Sequence, residues 1–246
     1  MIHQLLTTEY FFWLVVLSFY LLDSFKLLTK SQILVTETIS GKFRPTFIFN
    51  PLEIEGKQVH GLNLMIPFTG FLKLDTKPNQ DPSTNFEKTH EDLVSFQDAA
   101  SPFKVLSMTS FVCLLFGPIL TFYRGLEAAL LFLLPIHFII LFTSLILLLI
   151  SRKRLGFTYS TSFSIFFNCL LVPGHLPNIV RMIYSKKIFN CDGYYFSLRN
   201  CEEKDLEELK YNISRKIDRT IERIDESELP DYYSYKESLG ITNDKQ

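Results

Sequence analysis

The chain has 246 residues, of which 47% are apolar and 21% charged, and its formal net charge is -1. An average charge content together with a positive mean hydropathy of +0.15 indicates that apolar and polar blocks alternate along the chain. This composition excludes a fully disordered chain, a collagen-like repeat and a disulfide-dense miniprotein, and it argues against a soluble monomer. The charges are indeed segregated, because residues 105–180 hold only 5 of the 51 charged residues.

The N-terminal segment Tyr10–Leu28 is rich in aromatic residues and has no charge before Asp23. It lacks the basic start and the small-residue cleavage site of a secretory signal peptide, so we predict an uncleaved first transmembrane helix. Two uncharged runs follow later, Val105–Tyr123 and Ala128–Ile150, and each is long enough to cross a hydrocarbon core of about 30 Å. Because only four residues separate these two runs, they predict a tight helical hairpin.

A fourth uncharged run, Leu155–Val180, is diluted by hydroxyl residues and interrupted by Pro173-Gly174-His175-Leu176-Pro177. Two prolines in five residues end a regular helix, and the firmly apolar part, Phe163–Val172, is too short for a full crossing. We therefore predict an interfacial or re-entrant segment, with a fourth crossing as the alternative.

Lys and Arg residues border the predicted membrane segments asymmetrically. None occurs in residues 1–9, whereas Lys26, Lys30, Lys104 and the Arg152–Arg154 cluster all fall on one side if three helices cross. The positive-inside rule then places the N-terminus outside and residues 29–104 and 151–246 on the cytoplasmic side of a plasma or inner membrane. A complete fourth crossing would place Arg181, Lys186 and Lys187 outside. The positive-inside rule therefore favours three crossings.

The polar regions predict a small antiparallel β unit and a helix. Alternating, β-branched stretches indicate strands at 33–39, 46–49, 52–55 and 62–66, with turns at Ser40-Gly41, Asn50-Pro51 and Gly56-Lys57. The predicted fold class is therefore an α-helical integral membrane protein that has three transmembrane helices, the broken segment, this β unit and a C-terminal amphipathic helix. The predicted domains are an N-terminal transmembrane helix (1–29), a cytoplasmic β unit (30–75), a flexible linker (76–103), a transmembrane hairpin (104–150), an interfacial or re-entrant segment (151–187) and a cytoplasmic helical region (188–246).

The C-terminal helix is predicted from Cys201 to about Asp225, with a capping box at Asn200 and Glu203 and with Pro230 preventing its continuation. Its apolar positions recur every 3.6 residues on average and form one stripe. The stripe predicts either docking on this chain's own β unit or binding to a protein partner or a second copy. Its members are Leu206, Leu209, Ile213, Ile217, Ile221 and Ile224.

His137 is the strongest single candidate for a functional residue, because it lies near the middle of the Ala128–Ile150 run. An ionisable group at membrane depth normally has a partner. Mirroring the hairpin about its loop places His137 level with Cys113 and one turn from Ser110. This arrangement indicates a relay or ligand site, or else a neutral imidazole that joins two helices through a hydroxyl. Asp23 could reach His137 only if the first helix sat deeper, so we expect it to pair locally with Lys26.

A second candidate is interfacial, where His175, Asn178 and Arg181 surround the proline-rich break and could hold a lipid phosphate or an acidic partner. The alternative is a proline-terminated helix whose histidine faces water. The four cysteines have no metal-ligand spacing, and phosphate-binding and catalytic motifs are absent, so we predict no catalytic residues, no metal and no cofactor. The balanced charge gives no reason to expect nucleic acid.

These observations favour a non-enzymatic membrane anchor or assembly subunit that contacts the lipid bilayer and a protein partner or a second copy. One alternative is an oligomeric transport or channel component centred on His137. The other is a membrane-interface enzyme that acts on lipid near His175 and Arg181.

Overall fold

A computed structural model describes residues 2–29, 31–47, 52–78, 81, 83, 85–200, 203–222 and 226–241. The chain forms two compact units, each assembled from segments that are distant in sequence. Unit 1 comprises Met1–Lys26, Gly61–Gly70 and Leu93–Lys187, and unit 2 comprises Leu27–His60, Phe71–Asp92 and Ile188–Gln246.

The helices of unit 1 include the longest in the chain. They are α1 (Ile2–Asp23), the larger part of α2 (Phe86–Arg124), α3 (Leu126–Leu155), α4 (Tyr159–Leu171) and α5 (Ile179–Lys186). Among the described residues, α2 and α3 are long and apolar enough to cross a membrane, which weakly supports a membrane association. A single residue, Gly125 with φ 81°, separates them, so the predicted helix boundary at this turn is confirmed.

The predicted break within the fourth apolar run is also confirmed. Thr158 caps the start of α4 by accepting a hydrogen bond from the Thr161 amide, and α4 ends at Leu171 before a 3₁₀ turn, Pro173–Asn178. Pro173 occupies the first turn of this 3₁₀ segment, where its missing N–H costs no helical hydrogen bond. At 13 residues, α4 is about 20 Å long, shorter than the roughly 30 Å of a hydrocarbon core.

Unit 2 is built on short antiparallel strands. The strands are β1 (Phe25–Leu28), β2 (Gln32–Glu37), β3 (Phe43–Thr46), β4 (Glu53–Ile54), β5 (Lys57–Gly61) and β6 (Phe71–Asp75). Three-stranded sheets form in the orders β3-β2-β6 and β1-β5-β4. In the first sheet Val35 lies opposite Leu72 on one side and Pro45 on the other. The helices α6 (Gly193–Asn200), α7 (Leu206–Ile221) and α8 (Leu229–Ser238) complete the unit.

Several predicted boundaries in the N-terminal half were wrong. The first helix begins at Ile2 rather than Tyr10 and ends at Asp23, so the predicted helical residues Phe25–Leu28 form β1 instead. Residues 62–66 form no strand, whereas β5 and β6 were not predicted. In β5 the polar side chains of Gln58 and His60 face inward, which inverts the alternation that sequence reasoning looks for. Residues 48–51, within the predicted strand 46–49 and the Asn50-Pro51 turn, lie outside the described residues.

The predicted linker and capping box were also wrong. Helix α2 already begins at Phe86, so the C-terminal part of the predicted linker 76–103 is helical. Asn200 ends α6, and its side-chain amide donates a hydrogen bond to the Phe196 carbonyl, so it does not cap the next helix. Pro230 lies in the first turn of α8, which begins at Leu229, because proline is well suited to the first turn of a helix.

Candidate functional site: a cavity in the helical bundle

Side-chain contacts fix how α1 and α2 run past each other in unit 1. The Trp13 indole donates a hydrogen bond of 2.7 Å to the Thr121 hydroxyl and lies directly against Gly117. Further along α1, the Tyr20 ring packs 5.5 Å from that of Phe111. Residue numbers rise along α1 while those of its partners fall along α2, so the two helices are antiparallel.

The Pro173–Asn178 turn docks closely on both helices. A side chain at Gly174 would collide with the Val16 carbonyl of α1, so only glycine allows this approach. The Ser107 hydroxyl of α2 donates a hydrogen bond to the Pro177 carbonyl. The turn therefore lies against the C-terminal half of α1, and the Pro177 carbonyl freed by the break finds a partner inside the bundle.

Helix α4, which precedes this turn, starts beside the C-terminal end of α3, and α5, which follows the turn, leads back to that end. Helix α4 packs along α3, with the Phe166 ring 6.0 Å from the Phe142 ring. At the far end of α5, the Lys187 ammonium lies 3.2 Å from the position where a Cβ would project from Gly156, which terminates α3. The segment 157–187 therefore runs along α3 and then returns to the C-terminal end of α3.

A cavity of about 80 Å³ lies between α1, α2, α3 and the proline-rich turn. Its polar lining residues include His137, Ser110 and Cys113, the three side chains that the mirrored hairpin predicted to be near one another. The apolar wall includes Val16, Leu114, Leu130, Leu133 and Ile140, together with Pro173 and Pro177. The arrangement provides a hydroxyl, an imidazole and a thiol in a small, otherwise apolar space.

Asp23 and Lys26 form the local pair that their spacing predicted, with 3.0 Å between the ammonium and one carboxylate oxygen. Lys26 lies in β1, beyond the end of the helix, rather than on the helix itself. Neither residue is among the described residues that line the cavity. The pair therefore marks the end of α1 and does not approach His137 through the cavity wall.

Arg181 is completely buried and connects three parts of unit 1. Its guanidinium donates to the Ser24 hydroxyl at 2.9 Å, to the Asn178 side-chain oxygen at 3.0 Å, to the Ile66 carbonyl at 3.1 Å and to the Asn63 carbonyl. A lipid phosphate, which the sequence suggested as a ligand, would have to displace these partners. The geometry indicates that Arg181 joins the end of α1, the 61–70 segment and α5.

Asn178 and His175 take part in the same packing. The Asn178 amide donates to the Tyr20 carbonyl at 2.9 Å, which ties the proline-rich turn to α1. The His175 ring meets the Phe19 ring edge-on at 6.1 Å and is half-buried, with its Nδ1 buried and unpartnered among the described residues. His175 therefore packs on α1, unlike the fully solvated histidine considered from the sequence.

In unit 2, Asp192 organises a polar cluster that sequence reasoning missed. One carboxylate oxygen accepts the Tyr195 amide at 2.8 Å, at the start of α6, and the other accepts the Lys77 amide at 2.9 Å and the Tyr235 hydroxyl at 2.5 Å. Burial and the Asp192 charge raise the pKa of Tyr235, so its hydroxyl stays protonated as the donor. An aspartate directly before a glycine that begins a helix was the available signal.

The predicted apolar stripe of α7 is used within unit 2. Helix α7 contacts α6 and α8, and the Lys216 ammonium donates to the Gln58 side-chain oxygen of β5 at 3.2 Å. Helix α7 therefore docks within the chain, but on α6 and α8 as well as on β5, whereas the sequence predicted docking on the β unit. Leu209, Ile213 and Ile217 are buried, Leu206 and Ile221 are half-buried, and Ile224 lies outside the described residues.

Comparisons with known proteins do not assign a function to this site. Comparison of the chain with models of protein families, with curated proteins and with solved structures finds no match. Within the described ranges, no group of three or more His, Cys, Asp or Glu side chains is placed to hold a metal ion.

Proposed function

We propose that the chain is a non-enzymatic integral membrane protein in which unit 1 is the anchor and unit 2 is a cytoplasmic assembly module. The observation that carries the proposal is the exposed apolar surface of the long helices. Soluble monomers rarely expose large contiguous apolar patches, and such a surface is usual where lipid is the solvent. On α3 the exposed residues include Leu131, Phe132, Ile139, Ile146 and Ile150.

The proposed topology has three crossings, by α1, α2 and α3, with the N-terminus outside. Helix α1 has 22 residues and is therefore about 33 Å long, which suffices for a crossing. The antiparallel contacts between α1 and α2 bring Lys26 and Lys104 toward the same end of the bundle. This distribution agrees with cytoplasmic placement of both basic residues.

The segment 157–187 is proposed to enter the membrane and return to the cytoplasmic face. Support comes from Lys187 beside Gly156 at one end, and from Pro173 beside His137 at the other. Irregular backbone at membrane depth is tolerated only where protein or a cavity surrounds it, and the buried turn meets that condition. A re-entrant path also keeps the basic residues that follow α5 on the positive side.

Topology is tested by labelling single cysteines with an impermeant maleimide in sealed right-side-out vesicles, after the four native cysteines are replaced by alanine. The exposed positions Arg124, Lys153 and Ser185 are each replaced by cysteine. We expect labelling of Arg124→Cys from outside, and labelling of Lys153→Cys and Ser185→Cys only after the vesicles are opened. Labelling of the last two from opposite sides would contradict a re-entrant segment.

The assembly role is tested by purifying the full chain in lipid nanodiscs and measuring the mass of the particle. We expect a stoichiometric companion, either a second copy or another protein, and its loss when the exposed Tyr211 and Tyr233 of unit 2 are replaced by alanine. Replacement of the lipid-facing Ile139 by leucine is the matched control and should retain the companion. A monodisperse monomer without a companion would contradict the assembly role.

The second candidate is a transport component, which is favoured by the cavity beside the proline-rich break. Polar groups at membrane depth often mark a solute or proton path. If this function is correct, His137→Leu abolishes a pH-dependent flux in proteoliposomes, whereas replacement of the exposed His90 by leucine leaves it intact. An unchanged flux in His137→Leu would rule the function out.

A further inference from the structure

We infer that the cavity beside His137 is a hydrated site for small, uncharged, hydrogen-bonding molecules, with water as its resident occupant. The inference rests on the proposed placement of unit 1 in the bilayer. It assigns a ligand class to a space that the anchor function does not require. Three observations carry it: the polar groups that face the cavity, its volume and the absence of charge from its wall.

Ser110 differs from the other buried hydroxyl residues described in the bundle. Ser107 donates to the Pro177 carbonyl, Thr121 accepts from an indole and Ser144 donates to a backbone carbonyl at 2.7 Å. Ser110 is only 5% exposed and lines the cavity, yet within the described part of the chain its hydroxyl forms no hydrogen bond with protein. His137 is half-buried and lines the same cavity, and its described contact is an edge-on approach to the neighbouring Phe138.

Polar groups in an apolar medium are stabilised by hydrogen-bond partners, so a hydrogen-bonding occupant of the cavity gains from both side chains. The cavity volume of about 80 Å³ has room for several water molecules, because one water needs roughly 10–15 Å³ on this measure. Ser110 and a neutral His137 each offer one donor and at least one acceptor, which suits water or a solute of similar size.

The wall of the cavity sets the limit on charge. The described lining residues include no Asp, Glu, Lys or Arg, so an ion would enter an apolar space without a counter-charge. The Trp13 N–H is already engaged by Thr121, which leaves the polar functions on the α2 and α3 side of the cavity. The site therefore favours uncharged molecules that form two or three hydrogen bonds.

Cys113 reports on hydration because it lines the same cavity and only a thiolate reacts with a thiosulfonate. Thiolates do not form readily in a dry apolar environment. The experiment exposes the full chain in lipid nanodiscs to methyl methanethiosulfonate and follows each cysteine by peptide mass spectrometry. Cys169 is the internal control, because it is fully buried against Met182. We expect Cys113 to react at least tenfold faster than Cys169.

Variants connect the reactivity to the cavity. Ser110→Leu fills the space and should slow the Cys113 reaction at least tenfold, whereas Met108→Leu, on the exposed side of the same helix, should leave it unchanged. A permanently charged thiosulfonate should react with Cys113 at least tenfold more slowly than the uncharged reagent. If Ser110→Leu does not yield folded protein, His137→Phe fills the space from α3 and gives the same test.

Two results would overturn the inference. Equal, slow reaction of Cys113 and Cys169 would mean that the cavity is dry. An undiminished reaction in the folded filling variant would mean that the reagent reaches Cys113 from the lipid side. Neither result affects the labelling pattern at Lys153→Cys and Ser185→Cys, so failure of this inference is distinguishable from failure of the proposed topology.

Discussion

Acid should destabilise unit 2 through a single histidine, His60 of β5. This side chain is 4% exposed, and neither ring nitrogen has a hydrogen-bond partner among the described residues. Burial, with a smaller contribution from the charge of Lys216, lowers its pKa from 6.5 to about 4. Replacing His60 by leucine removes the titrating group and puts an apolar side chain of similar size in its place.

The magnitude follows from linkage. The unfolded chain binds a proton at this histidine below about pH 6.5, whereas the folded unit resists protonation until about pH 4. The folded form is therefore fully stable near pH 7.5 and loses stability as the pH falls. Each pH unit between the two pKa values costs about 1.4 kcal/mol, which amounts to about 2 kcal/mol at pH 5 and about 3 kcal/mol at pH 4.

Hydrogen exchange of the β5 amides in the intact protein measures this effect, once the intrinsic pH dependence of exchange is subtracted. The free energy of opening should fall by about 2 kcal/mol between pH 7.5 and pH 5, and His60→Leu should remove most of that slope. Replacement of the exposed His90 by leucine is the matched control and should retain it. A flat profile in the unmodified protein, or an equal slope in His60→Leu, would refute the reasoning.

Three further substitutions test the packing. Asp192→Ala removes the α6 cap and strands the Tyr235 hydroxyl, so unit 2 should lose about 2–4 kcal/mol in hydrogen-exchange stability; a loss below 1 kcal/mol would count against the cluster. Gly117→Leu overfills the contact with Trp13 and should cost about 1–3 kcal/mol. Trp13 is the one tryptophan, so its emission should change, and an unaltered spectrum would contradict the contact. Arg181→Met leaves several acceptors unpaired and should lower the free energy of unfolding of unit 1 by about 3–5 kcal/mol; an unchanged melting temperature in detergent would argue against the connecting role.

The turn between α2 and α3 was predictable because charge marks the ends of the two uncharged runs, whereas the start of α2 at Phe86, well before Lys104, was not. Lys104, Arg124 and Arg152 bracket two uncharged runs, and the turn between them falls at Gly125 as expected. A local pattern also existed at the start of α2, where the prediction of a flexible linker failed. Leu93, Phe96, Ala100 and Phe103 are buried at helical spacing near the start of α2. That spacing was obscured by the polar, proline-containing stretch before it and by Pro102 within it.

Other features depended on partners distant in sequence. No local pattern indicates that Arg181 is buried, because three of its bonds reach Ser24 and two carbonyls of the 61–70 segment. The neighbourhood of His137 and Cys113 was predictable because a short turn imposes a register on both helices. The cavity itself was not, since its closing wall is the Pro173–Asn178 turn.

The position of Arg181 also has a consequence for synthesis. The carbonyls of Asn63 and Ile66 and the Ser24 hydroxyl leave the ribosome more than 100 residues before the guanidinium that binds them. Until then the N-terminal segments lack their native donor, so this end of the bundle can close only after α5 has been synthesised. Chains interrupted before α5 should therefore carry an open bundle, which quality-control proteases can distinguish from the finished one.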